Sequence, residues 1–149
     1  MKEIKKILYP IDFSESSKKI FPYVMTFSKT FGSTVHLLYV VRDLKYLTSF
    51  HVPHPSLDKL EAEITASSEK MMEKVCKEDL QGCPFFVKKI VVGDAANEII
   101  AYAQEEKIDL IILGTHGRKG LEKALFGSVA DRVVKNSPVP VLTINPYQV

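Results

Sequence analysis

The chain has 149 residues, 46% of them apolar and 26% charged, with a formal net charge of +2. That length suits one domain spanning residues 1–149 with a sizeable core, and the balanced charge argues against a nucleic-acid platform. Apolar runs stay well short of the roughly 18 residues that span a membrane, and Asp12 and Glu15 interrupt what would be a signal-peptide core, so a cytoplasmic location is expected.

Ile4 to Ile11 is rich in branched residues and reads as a first strand, with regular pairing expected to fail near Pro10. Ser14 is placed as an N-cap, and Ile20, Val24, Phe27 and Phe31 follow at the spacing of one helical stripe. Pro22 falls inside this helix and is expected to kink or tighten it; Gly32 ends it. Thr34 to Val41 is a continuous apolar run, as a strand covered on both faces would be, with His36 against a packed surface. Arg42 to Ser56, with Pro53 and Pro55, reads as a long connection. Leu57, Leu60, Ile64, Met71 and Val75 mark a second helix that should stop near Gly82 and Pro84.

Phe85 to Val92 is a third strand, and Gly93-Asp94 opens a third helix with Ile99, Ile100 and Ala103 inward. Asp109 to Gly114 forms a fourth strand, Gly127 to Lys135 a fourth helix and Pro140 to Ile144 a fifth strand. The alternation predicts an α/β fold: one doubly wound, five-stranded parallel sheet of order 3-2-1-4-5. In such sheets ligands bind beyond the carboxyl ends of the strands where the winding reverses, here between strands 1 and 4. Two segments should meet there: Pro10, Ile11, Asp12, Phe13 and Ser14, and the stretch from Gly114 to Ser128.

The second segment holds Gly114, Thr115, His116, Gly117, Arg118, Lys119 and Gly120, then Gly127 and Ser128, with Val129 next after it as a further candidate. Glycines after a strand let the backbone approach a phosphate closely, and a helix beginning at Gly127-Ser128 offers N–H groups and the positive end of its dipole. Ser128 adds a hydroxyl, Arg118 and Lys119 add charge, and His116 could donate to a phosphate. Asp12 is placed to accept from ribose hydroxyls; its structural alternative is a turn or capping residue for the first helix. Ser128 could equally be an ordinary N-cap. The segment is neither a Walker A loop nor a dinucleotide fingerprint, and a phospho-receiver site would need more acids after strand 1. Cys76 and Cys83 stand at C-x6-C spacing, which fits neither a zinc pair nor a redox motif. His51 and His54 lack partners for a metal site, and Met71 and Met72 read as core or interface filler.

Gly114-x2-Gly117-x9-Gly127-Ser128 matches the G-2x-G-9x-G-(S/T) signature, and in this the chain resembles the ATP-binding universal stress proteins. Tyr9-Pro10-Ile11-Asp12-Phe13-Ser14 is similar to that family's first strand and turn, and Ser137 to Ile144 to its last strand. The resemblance implies a Rossmann-like fold of the adenine nucleotide α-hydrolase-like type. It implies that Asp12 contacts the adenosine, that the backbone near Val40 contacts adenine, and that Gly114, Gly117, Gly127 and Ser128 hold phosphates. Mg2+ or Mn2+ would bridge phosphate oxygens without protein side chains. A homodimer through Val139–Ile144 is also implied, and would cover an apolar edge strand. The function expected is a nucleotide-dependent stress-response module with slow or absent hydrolysis. Its alternatives are a nucleotide-free dimerisation or interaction module, and a weak ATPase or autophosphorylating enzyme with Ser128 or a nearby hydroxyl as acceptor.

Overall fold

The computed structural model describes residues 3–44, 54–79, 85–116 and 127–149. Five strands and four helices alternate along it: β1 (Lys6–Ile11), α1 (Glu15–Phe31), β2 (Thr34–Arg42), α2 (His54–Glu78), β3 (Phe86–Gly93), α3 (Ala95–Glu105), β4 (Leu110–Gly114), α4 (Ser128–Asn136) and β5 (Val141–Ile144). The strands form one sheet in the order β3-β2-β1-β4-β5, every neighbouring pair parallel. This is the expected doubly wound topology, and the expected reversal at β1.

Period-two alternation sorts the strand residues between two cores. Ile7, Tyr9, Ile11, Val35, Leu37, Leu110, Ile112 and Ile144 face α1 and α2, meeting Ile20, Phe21, Val24, Met72 and Val75. Leu8, Leu38, Ile111 and Leu113 face α3 and α4, meeting Ala96, Ile99, Tyr102, Ala103, Ala130 and Val133. Both faces of the central strands are thus covered, which is why they read as unbroken apolar runs.

At the amino end the sheet is tied by one carboxylate. Asp109 Oδ2 accepts from the amides of Lys5 (2.9 Å) and Lys6 (3.0 Å), while the Asp109 amide donates to the Lys6 carbonyl. From there β1 follows β2 for six registers, Lys6↔Thr34 to Ile11↔Tyr39. Its ladder to β4 covers two, Ile7↔Leu110 and Leu8↔Ile111. That ladder stops before Pro10, which has no N–H to give, and the reversal of winding at β1 sets a crevice beyond the carboxyl ends of β1 and β4.

The helix ends follow capping chemistry. Ser14 caps α1, its side chain accepting from the Ser17 amide, and Gly32 ends it in the left-handed region at φ 63°. Asp94 caps α3, accepting from the Asn97 amide. α1 runs through Pro22 unbroken from Glu15 to Phe31. α3 has no glycine at its end, and Lys107 takes the left-handed conformation at φ 53°.

Three apolar residues expected inside lie outside. Phe31, the last residue of α1, is 47% exposed, and its place on the inward stripe goes to Ser28, whose hydroxyl donates to the Ser33 carbonyl. Leu60 and Met71 sit to the side of the inward stripe of α2, which consists of Leu57, Ser68, Met72 and Val75. Ser68 can be buried there because its hydroxyl donates to the Ile64 carbonyl. The connection after β2 is also shorter than read, since α2 begins at His54 with Pro55 in its first turn. Cys76 packs half-buried against the α1–α2 core. Cys83, His51 and the expected stop at Gly82 and Pro84 lie outside the described residues.

His36, at 3% exposure, is buried against α3, its Nδ1 2.9 Å from the Tyr102 hydroxyl. Burial lowers its pKa, the Lys6 ammonium adds to the effect, and Glu106 opposes it. Below about pH 6.5 the unfolded chain takes up a proton that folded His36 resists, so stability is full above that pH and falls below it. Chemical denaturation from pH 7.5 to 5 should show this loss in the wild type and a flatter profile in His36→Gln. At Lys107, replacement by glycine removes left-handed strain at an exposed position. Lys107→Gly is expected to raise the thermal midpoint by roughly 1–3 °C in calorimetry.

Candidate nucleotide site at the β1–β4 opening

Pro10 and Ile11 are the last residues of β1, paired with Leu38 and Tyr39. Ile11 is buried and Pro10 half-buried. Beyond them the chain must turn out of the sheet onto α1, and it does so in three residues. Asp12 leaves the strand, Phe13 adopts φ 60°, and Ser14 caps the helix. A phenylalanine in the left-handed region is strained, and the Phe13 ring is held against Tyr39 with centroids 4.4 Å apart. Glycine would be the ordinary signal for such a turn, so the sequence gives no hint of this conformation.

Asp12 is drawn into that turn. Its Oδ1 accepts from the Ser14 amide (3.0 Å), the Ser14 hydroxyl (2.5 Å) and the Ser17 hydroxyl (2.6 Å). The Ser17 hydroxyl also accepts from the Asp12 amide at 3.3 Å. The turn role weighed for Asp12 is therefore realised, with Ser14 as the cap and Asp12 as its support. The serine bonds fix the orientation of the carboxylate at the mouth of the β1–β4 opening.

Across the opening, β4 ends at Gly114, paired with Ile144. A side chain at Gly114 would collide with the Ile20 Cδ1 atom of α1 at 2.7 Å and the His116 carbonyl at 3.1 Å, so α1 packs directly onto this turn. Thr115 and His116 are both buried to 7% exposure. The Thr115 amide donates to the Ile144 carbonyl at 2.9 Å, and the Thr115 hydroxyl lies 2.9 Å from His116 Nδ1. The His116 ring meets Tyr147 edge-on, centroids 5.3 Å apart. Gly117, Arg118, Lys119 and Gly120 lie outside the described residues.

The chain re-enters at Gly127, whose amide donates to the Thr115 carbonyl at 2.6 Å. Gly127 is the N-cap of α4, and no side chain makes the cap hydrogen bond. This corrects the alternative in which Ser128 caps: Ser128 is the first helical residue and is exposed. Val129 is half-buried against the α3–α4 core, and Asp131 returns its amide to the Gly127 carbonyl. Where α1 and α3 satisfy their first turns with Ser14 and Asp94, α4 begins on Gly127 with no side-chain cap among the described residues. Val40 is half-buried on β2, next after the Ile11↔Tyr39 register.

Elsewhere, a groove of about 360 Å³ lies between α2 and β3, lined by Glu69, Met72, Glu73, Lys88, Lys89 and Ile90. It contains the Lys88–Glu73 ion pair, which raises the lysine pKa and lowers the glutamate's. None of the residues expected at the site lines it. Among the described residues no group of three His, Cys, Asp or Glu is placed to hold a metal, and no helix is long and apolar enough to cross a membrane.

The arrangement has known counterparts. The chain is 36% identical to universal stress protein MJ0577 of Methanocaldococcus jannaschii, with 94% of each sequence covered. The structure of MJ0577 superposes with a TM-score of 0.83 at 34% identity over 97% of both chains. Universal stress protein UspA from Lactobacillus plantarum superposes at 0.82, with 25% identity, over 97% of this chain and all of the other. Two more distant structures share the fold at a TM-score of 0.61. One is a universal stress protein in complex with cAMP, 17% identical and covering 97% and 99%; the other is from Archaeoglobus fulgidus in complex with dAMP, 19% identical and covering 95% and 98%. The model of the universal stress protein family matches residues 3–145, and with those relatives it establishes that the chain belongs to that family.

Proposed function

We propose that the opening between β1 and β4 is an adenine-nucleotide site and that the protein is a nucleotide-dependent stress-response module. The observation that supports this reading is that three features follow the carboxyl ends of β1 and β4, neighbouring strands where the winding of the sheet reverses. These are the oriented Asp12 carboxylate, the Gly114–His116 turn and the amide end of α4. In the reading, phosphates lie against the backbone of Gly114, Thr115, His116, Gly117 and Arg118 and of Gly127, Ser128 and Val129. The helix dipole and the uncapped N–H groups favour their negative charge. Asp12 accepts from ribose hydroxyls, and Pro10, Ile11 and Val40 border the nucleoside. That two distant proteins of the same fold were solved with cAMP and dAMP supports an adenine ligand for the fold.

A divalent cation, Mg2+ or Mn2+, is in this reading held by phosphate oxygens and shields their charge. Hydrolysis is slow or absent in this reading, since the sequence motifs include no Walker-type lysine and no carboxylate pair dedicated to magnesium. The outcome of binding is then a change of shape or assembly read by a partner. Homodimerisation through Val139–Ile144 fits this, since β5 is an edge of the sheet and Val139, Val141 and Leu142 are half-buried there.

Three substitutions at two positions test the site. At Gly127 the backbone has an ordinary φ of −68°, and a Cβ would meet the Thr115 carbonyl at 3.4 Å, a normal contact. Gly127→Leu should therefore keep the circular dichroism spectrum and abolish calorimetric binding of ATP with magnesium. Normal binding by this variant would remove the phosphates from the α4 end. Asp12→Asn retains an amide oxygen for Ser14 and Ser17 but loses the charge. It should weaken ATP binding by roughly 5- to 30-fold, the worth of a charged hydrogen bond. Asp12→Ala should add a measurable loss of fold stability that Asp12→Asn does not share.

A further inference from the structure

Resting on the nucleotide reading of the site, we infer that the segment after β5 is a positioning strap for it, with Tyr147 as the positioning residue. The base of the glycine segment is closed by the Gly127 amide bond to the Thr115 carbonyl at 2.6 Å. The base is in turn tied to the end of the sheet, because the Thr115 amide donates to the Ile144 carbonyl. The residues after Ile144 then turn back over it. Asn145 folds them into a tight turn, its Oδ1 accepting from the Tyr147 amide at 3.0 Å and its carbonyl from the Gln148 amide at 3.1 Å. The Pro146 carbonyl accepts from Lys19 Nζ of α1 at 3.1 Å. Tyr147 is delivered edge-on to the His116 ring, whose Nδ1 is paired with the Thr115 hydroxyl.

The strap thus joins three parts that approach the site separately: α1 through Lys19, the end of the sheet through Ile144, and the start of the glycine segment through His116. Tyr147 itself is 45% exposed while His116 is 7% exposed. The tyrosine lies over the histidine from outside and adds little to the core, so its removal should loosen the site without unfolding the protein. The ring of Tyr147 is what meets His116, so its hydroxyl is not needed for that contact.

The experiment compares full-length wild type, Tyr147→Ala, Tyr147→Phe and Lys19→Met by two readouts. One is amide hydrogen exchange at Thr115, His116 and Gly127 without nucleotide. The other is calorimetric titration with ATP and magnesium. Tyr147→Ala is expected to exchange faster at Gly127 and Thr115 and to bind ATP about five-fold more weakly, the scale of one aromatic pair. Tyr147→Phe should restore both, Lys19→Met should fall between, and all four should melt within a few degrees of one another. Unchanged exchange in Tyr147→Ala, or no rescue by Tyr147→Phe, overturns the strap. Faster exchange with unchanged affinity overturns its role in positioning the nucleotide. A wild type that binds no ATP defeats the nucleotide reading and the positioning role with it, and exchange still decides whether Tyr147 clamps the Thr115–Gly127 base.

Discussion

A strand covered on both faces has one way out, along its own axis, and β1 sits at that constraint. Its residues alternate between two cores, Ile7, Tyr9 and Ile11 on one side and Leu8 on the other. Tyr9 is fully buried, its ring edge-on to Phe21 at 5.1 Å and its hydroxyl donating to the Ser17 carbonyl at 2.6 Å. Burial holds that phenol protonated far above its usual range. With both sides occupied, the chain leaves β1 over the carboxyl end and must bend within three residues to start α1. The turn that does so, with Phe13 strained and Ser14 capping, is the same turn that orients Asp12. Fold and proposed site are coupled here: the residue assigned to the ribose in the nucleotide reading also supports the cap of the first helix.

The three helix starts for which a cap is described divide in an informative way. Ser14 and Asp94 satisfy α1 and α3 from within the chain, and Asp94 also pairs with Arg132 of α4 at 2.9 Å. α4 begins instead on Gly127, without a side-chain cap, at the opening of the sheet. The two capped starts draw their partners from the turns before them, whereas a glycine at the cap position has no side chain to offer.

Element order and sheet topology were legible because they follow from local signals: unbroken apolar runs for strands with both faces covered, and caps at Ser14, Gly32 and Asp94. Which apolar residues face inward was less so. Phe31, Leu60 and Met71 lie outside because stripe position says nothing about where a helix overruns its partner, and Ser28 and Ser68 fill inward positions by bonding to carbonyls. The segments proposed for the site were chosen from glycines and strand ends, since phosphate chemistry asks for small residues after a strand. The left-handed Phe13 and Lys107 carry no such mark, as neither residue type favours that conformation. The contact of Tyr147 with His116 spans 31 positions and depends on how the chain turns at Asn145, which no periodicity reveals.

Asp109 gives the sheet a mechanical polarity. Its carboxylate grips the amides of Lys5 and Lys6 at one end of the β1–β4 seam, while the ladder between the strands lapses after Leu8↔Ile111. The two halves of the sheet, β3-β2-β1 and β4-β5, are thus joined by a short ladder that a single side chain pins at its amino end.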